Sequence, residues 1–215
     1  MILKMNRLPS YVRQHLAGLR LLLVFTVITG IVYPVALWGI SLVAFNHQAN
    51  GSLIRYHGRV IGSSLLCQEF VDAKGNPLPQ YFQPRPSAAT PSPTPKGDFG
   101  CDPTFSSASN LGPTNPALIA LIRARQQAIS KLDNVPVRDI PANAVTASGS
   151  GLDPDISPAF AAIQVNTVAA ARHISPAQVE ALVRQYTTGR TLGFLGEPVV
   201  NVLLLNRALD AKYPA

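Results

Sequence analysis

Residues 21–45 read LLLVFTVITGIVYPVALWGISLVAF, with no charged position. As a helix rising 1.5 Å per residue this run is roughly 37 Å long, enough to cross a hydrocarbon core of about 30 Å with some tilt. It is too long for the apolar region of a signal peptide, which runs about 7–15 residues. Cleavage near Ala49 is the alternative reading. Inside the run, Thr26, Gly30 and Pro34 recur at four-residue spacing. Such a small-residue ridge lets a second helix approach closely.

Beyond the run the pattern changes. Strand-like stretches are expected at Arg59–Leu66 and Glu69–Val71. From Pro77 to Pro116 prolines recur so often that neither helix nor central strand is expected, only a surface loop, extended around Pro91–Pro95. The second half turns helical. Asn115-Pro116, Ser157-Pro158 and Ser175-Pro176 each pair a capping side chain with proline at the first helical position. Gln178 completes a capping box with Ser175. Apolar stripes follow: Leu118, Leu121, Ile122, Ile129 and Leu132 in the first; Ile163, Val165 and Val168 in the second; Val179, Leu182, Val183 and Tyr186 in the third. Thr188-Gly189-Arg190 is expected to end the third. A last apolar run, Val199–Leu209, reads as strand or helix, with its leucines favouring helix. The fold class is α+β: one N-terminal transmembrane helix, then a single domain of short strands and several helices.

Charge supplies the orientation. Lys4, Arg7, Arg13 and Arg20 precede the span without an acidic neighbour, so residues 1–20 are expected in the cytoplasm and residues 46–215 outside it. This accounts for four charges of the net +7. The outer part keeps fourteen basic against eleven acidic residues, and no basic stripe interleaved with aromatics marks a nucleic-acid surface. Cys67 and Cys101 both lie in the outer part, where a disulfide persists. Two buried thiols are the alternative. They lack the paired spacing of a zinc site.

The stretch SGSGLDPDISPA, Ser148–Ala159, looks most like a site. As a nucleophile loop it lacks G-x-S-x-G spacing, and neither His57 nor His173 is placed near Ser148 or Ser150. As a phosphate loop it lacks the G-K-[ST] ending, and Asp153 and Asp155 would repel an anion. As a calcium loop it lacks the glycine and glutamate at the sixth and twelfth positions. The expectation is a flexible turn at Ser148–Gly151, followed by a helix that Ser157 caps. No catalytic residue and no metal ligand is assigned.

The residues in order resemble one family. They are Thr29-Gly30-x-x-Tyr33-Pro34, Gln48–Ile54, Gly62-Ser63, Tyr81-Phe82, Arg85–Ala88, Ser109–Pro116, Val145–Asp153, Ile156–Pro158, the neighbourhood of Ala170 and Arg172, and Gly196-x-Pro198-x-Val200-Asn201-Val202-x-x-Leu205-Asn206. Together they resemble KdpC, the C subunit of the bacterial Kdp potassium-transporting P-type ATPase. The resemblance implies a single-pass inner-membrane subunit. Its partners would be a channel-like potassium-binding subunit, a P-type pump subunit and a small membrane peptide. It also implies an assembly role and a description as a catalytic chaperone that raises the pump's ATP affinity. ATP as a ligand of this chain conflicts with the charge-derived topology, which leaves only about 20 residues facing the cytoplasm. The chain lacks the D-K-T-G-T motif of the pump subunit. Two further expectations follow: Thr26, Gly30 and Pro34 pack against a partner helix, and Asp153 and Asp155 concentrate cations near the potassium entrance. The chain departs from the family at Gln83-Pro84, at Ala108 and in the long insertion Pro91–Cys101, which a Cys67–Cys101 bridge would tether. A membrane-anchored outer hydrolase and a stand-alone outer binding module are the alternatives. Co-extraction with a large membrane partner separates them from the subunit reading.

Overall fold

The structure is a computed structural model and describes residues 9–90 and 100–214. It divides into two compact units, residues 1–52 and residues 53–215. Lys4, Arg7 and the Pro91–Pro95 stretch fall outside the described residues.

Among its described residues, the first unit is mainly one long helix. α1 (Ser10–Val27) passes through a π-turn at Ile28–Val32 into α2 (Tyr33–Ala44). Over Ser10–Ala44 it is long and apolar enough to cross a membrane, and none of its most apolar window is buried within the fold. Residues 10–20, expected only as a basic lead-in, continue the same helix. The π-turn has a cause in the sequence. Pro34 has no N–H, and its ring collides with the carbonyl four residues back, that of Gly30. A turn closed by five-residue hydrogen bonding relieves that crowding. The Tyr33 N–H accordingly bonds to the Ile28 carbonyl, and the Thr29 hydroxyl donates to the Phe25 carbonyl at 2.7 Å. A one-turn helix, α3 (Asn46–Ala49), follows.

The second unit opens with a hairpin of β1 (Leu53–Tyr56) and β2 (Arg59–Ser63), Tyr56 facing Arg59. Its two loop residues, His57 (φ 47°) and Gly58 (φ 78°), both have the positive φ of a type I′ turn. The first strand was not expected, and the second ends earlier than the sequence suggested. Glu69–Val71 contributes only an isolated bridge, Val71 to Pro77. α4 (Pro116–Asp133) starts at the Asn115 cap, whose side chain accepts the Ala117 N–H at 2.8 Å. Ile122 and Ile129 pack against the core, while Leu121 points to solvent. A 3₁₀ turn at Val137–Asp139 and the short α5 (Ala142–Val145) lead back towards the core.

β3 (Asp155–Ile156), β4 (Thr187–Thr188) and β5 (Val199–Asn201) form a small antiparallel sheet with β5 in the centre. Between them run α6 (Pro158–Ala171) and α7 (Pro176–Gln185), capped by Ser157 and by the Ser175–Gln178 box as the sequence implies. α7 ends at Gln185, before the Thr188-Gly189-Arg190 stop expected for it, and Thr187–Thr188 pairs with β5. The Val199–Leu209 run is both of its alternatives. It is strand to Asn201, whose side chain accepts the Leu204 N–H at 3.1 Å, and helix from there as α8 (Val202–Lys212).

The core is built from α6, α7, α8 and β5 around Phe82, Ile156, Val168, Val179, Val200 and Leu209. Phe82 corrects an expectation. It is fully buried, as is Ala89, so residues 77–90 are not a superficial loop. They lack regular structure, but two helices hold their backbone through side-chain amides. Asn206 Oδ1 accepts the Phe82 N–H, and its Nδ2 donates to the Phe82 carbonyl, both at 2.9 Å. Gln164 does the same for Gln83, accepting its N–H at 2.7 Å and donating to its carbonyl at 3.3 Å. Each amide replaces the neighbouring strand that a proline-rich segment cannot recruit.

Arg172, with its side chain wholly buried, fixes the same segment from the other side. Its Nε donates to the Gln80 carbonyl at 2.7 Å and its Nη1 to the Tyr213 carbonyl at 2.6 Å. Nη2 pairs with Asp210 at 2.7 Å, and the guanidinium lies 4.9 Å from the Tyr81 ring centre. Burial, then the Asp210 charge, push the Tyr81 hydroxyl above its ordinary pKa.

Candidate functional site

The SGSGLDPDISPA stretch is a latch rather than a flexible turn. Gly151 has φ +72°, and a Cβ there would lie 2.5 Å from the Ser107 carbonyl and 2.7 Å from the Ala89 Cβ. Only glycine fits. The Ser87 hydroxyl donates to the Gly151 carbonyl at 2.6 Å while its oxygen accepts the N–H groups of Ala89 (3.0 Å) and Cys101 (2.9 Å). Cys101 is bonded to Cys67, and the Cys67 N–H donates to the Leu152 carbonyl at 3.0 Å. The Ser107 N–H and Ser106 hydroxyl both reach the Ser150 carbonyl at 2.9 Å. The stretch thus ties Arg85–Ala89, the disulfide and the segment before α4 into one junction.

Several of its polar groups are committed to structure. Arg85 donates to Asp153 at 2.8 Å and to the Thr146 carbonyl at 3.3 Å. Asp155 Oδ1 accepts from Asn201 at 3.2 Å, and burial, more than the neighbouring Asp153, raises its pKa. The pair therefore comprises one ion-paired and one half-buried carboxylate. Ser148 Oγ is buried without a hydrogen-bond partner, and Ser150 Oγ accepts the Leu152 N–H at 3.1 Å. A serine nucleophile needs a base within hydrogen-bond reach, and neither hydroxyl has one. Among the described residues, no group of three or more His, Cys, Asp or Glu comes together as a metal cage.

A groove of about 470 Å³ runs between α4 and the 69–86 segment. Pro84, Pro86, Ile129, Leu132 and Phe160 give it an apolar floor, and Arg125 and Asp133 stand on its walls. Asp133 is buried and accepts the Thr167 hydroxyl at 2.7 Å. Burial raises its pKa to about 6, against the opposing effect of that hydrogen bond. Arg125 Nη1 donates to the Val145 carbonyl at 3.0 Å.

Of the other expected site residues, Thr26 and Gly30 flank or enter the π-turn and Pro34 follows it. A Cβ added at Gly30 would meet nothing within 4 Å, so the ridge has open space in front of it. The looser winding of the π-turn also brings positions four apart nearer to alignment than a regular helix does. The sequence reading passed over one feature, the tip of the loop between β4 and β5. There Leu192, Phe194 and Leu195 are 79%, 67% and 49% exposed.

These parts define a class: an apolar helix long enough to cross a membrane, followed by a small α+β unit. The comparisons narrow it. The family model described as KdpC, the K+-transporting ATPase c chain, matches residues 15–211. The potassium-transporting ATPase KdpC subunit of Mycobacterium tuberculosis is 52% identical over 199 residues, 92% of this chain and 98% of the relative. Those of Methylococcus capsulatus and Sorangium cellulosum are 51% and 52% identical, each over 90% of this chain and 95% of the relative. The chain belongs to the KdpC family and is an accessory subunit of the potassium uptake complex.

Proposed function

We propose that this chain performs no chemistry of its own and acts by holding the potassium-transporting ATPase together from the outer face of the membrane. Residues 1–20 then face the cytoplasm and residues 46–215 the outside, as the four basic residues before the span and their absence of acidic neighbours favour. The Thr26–Gly30–Pro34 ridge meets a helix of a partner subunit. The outer unit rests on the channel-like subunit beside the potassium entrance, and the ATP-hydrolysing pump and the small membrane peptide complete the assembly. What carries this reading is membership of the KdpC family, together with the ion pairing of Asp153 at the most site-like stretch. Asp153 is neutralised by Arg85, Ser148 and Ser150 lack a base, and Gly151 is there to pack.

The test is reconstitution. The purified chain is expected to hydrolyse no ATP. Membranes holding the other subunits without it are expected to lose potassium-stimulated hydrolysis and to regain it when the chain is supplied. ATP hydrolysis by the chain alone would overturn the proposal.

A further inference from the structure

A second concave space, of about 450 Å³, opens within the outer unit between β1 and the C-terminal ends of α7 and α8. Arg55 comes to it from β1, and Arg207 and Lys212 from α8. Tyr56 and Tyr186 add two phenol groups, and the buried Leu182 gives it an apolar wall. Among the described residues no Asp or Glu lines it. The nearby carboxylates are engaged elsewhere. Asp210, one turn along α8 from Arg207, pairs with Arg172 at 2.7 Å, and Glu180 on α7 pairs with Arg184 at 3.6 Å. None of the three cations that line the space forms an ion pair with a described residue. Arg55 Nη1 makes only a long bond to the Gly58 carbonyl, at 3.5 Å, and Lys212 Nζ lies 5.4 Å from the Tyr213 ring centre. Arg207 is half-buried all the same. A guanidinium drawn partly out of water without a carboxylate is costly, and an entering anion would offset that cost.

From this arrangement we infer that Arg55, Arg207 and Lys212 form a binding site for a phosphate group of the monoester type. The site lies wholly inside the outer unit and stands independently of the assembly role proposed above. Charge selects the ligand. α7 and α8 both end here, and each helix C-terminus carries about half a negative elementary charge. Three side-chain cations exceed that by about two positive charges. A phosphate monoester matches the excess, with about −1.5 to −2 at neutral pH and three strong acceptor oxygens. A single carboxylate would match only half of it. Geometry points the same way. An arginine fork takes two phosphate oxygens side by side, and a lysine adds a point charge with rotatable donors. The hydroxyls of Tyr56 and Tyr186, which bond to no other described residue, supply further donors to the same oxygens. Inorganic phosphate and a lipid headgroup ending in a phosphate monoester share this chemistry.

The experiment titrates the full chain, in a neutral detergent and at constant ionic strength, with inorganic phosphate by calorimetry. Arg55→Gln combined with Arg207→Gln is expected to weaken binding by about tenfold or more. Lys212→Gln, at the exposed end of α8, is expected to weaken it by about threefold without lowering the melting temperature. Arg184→Gln removes an exposed charge outside the site and is expected to leave the affinity unchanged. Mass spectrometry of the same preparations identifies the source of the group. A phospholipid retained by wild type and lost from the double variant assigns the site to a lipid headgroup, and phosphate binding without retained phospholipid assigns it to the free anion. Three results would overturn the site: a wild-type chain that neither binds phosphate nor retains phospholipid, a double variant and a Lys212→Gln variant that both bind as wild type does, or an equal loss in Arg184→Gln.

Discussion

Asn206 grips Phe82 by both edges of its amide, across 124 residues of sequence, with two hydrogen bonds of 2.9 Å. Both residues are fully buried. The contact holds an irregular segment in the core where a strand would otherwise be needed. Asn206→Leu keeps the branched shape and removes both bonds, leaving the Phe82 N–H and carbonyl buried and unpaired. The expected cost is about 2–4 kcal/mol, read from urea unfolding of the full chain in detergent. A change below about 0.5 kcal/mol would show that water replaces the amide.

Arg172→Met tests the second clamp. It strips Asp210 and the carbonyls of Gln80 and Tyr213 of a shared donor in a buried position. Loss of one partner of a buried pair costs about 3–5 kcal/mol. Arg172→Lys keeps the charge but not the three-pronged geometry, so it should recover only part of the loss.

Asp133 makes stability depend on pH with an unusual sign. Its folded pKa of about 6 lies above the ordinary carboxylate value of 3.8. Between these values the folded chain holds a proton that the unfolded chain has released. This contribution therefore weakens as pH rises from about 4 through 6, and above that the penalty is fully present. Asp133→Asn removes it. The variant should be more stable than wild type by about 1–2 kcal/mol at pH 7.5, after discounting for solvent screening, and little different at pH 4. Equal gains at both pH values would assign the effect to packing.

The disulfide closes a loop of 34 residues between Cys67 and Cys101. Loop-closure entropy gives it about 3–4 kcal/mol. Cys67→Ser with Cys101→Ser should lose about that much in unfolding experiments. It should also expose the junction at Ser87 and Gly151 to proteolysis, because the Cys101 N–H bonded to Ser87 would no longer be tethered. Unchanged proteolysis would show that the latch holds without the bridge.

Helix starts were legible because Asn115, Ser157 and Ser175 each stand before a proline, a local signal with a local cause. The π-turn at Ile28–Val32 likewise has a local cause in the sequence, in Pro34. The burial of residues 77–90 was not, because the pairing partners of Phe82 and Gln83 are side chains 81 and 124 residues further on. Nor did the sequence reveal that Ser148 and Gly151 are buried. Small residues read as freedom in a sequence, and only the neighbours at Gly151 show that they serve close approach. Strands two residues long, such as Asp155–Ile156 and Thr187–Thr188, have no period to detect. The apolar tip at Leu192–Leu195 resembled ordinary core sequence, since exposure is not written in residue type.

As a KdpC-family subunit, this chain is proposed to work only within a larger membrane assembly. The most direct measurement is mild-detergent extraction of the C-terminally tagged chain from potassium-starved cells, followed by assay of potassium-stimulated ATP hydrolysis. Pump and channel-like subunits are expected to elute with the chain in fixed proportion, in an active eluate. Recovery of the chain alone, with no such hydrolysis, would contradict it.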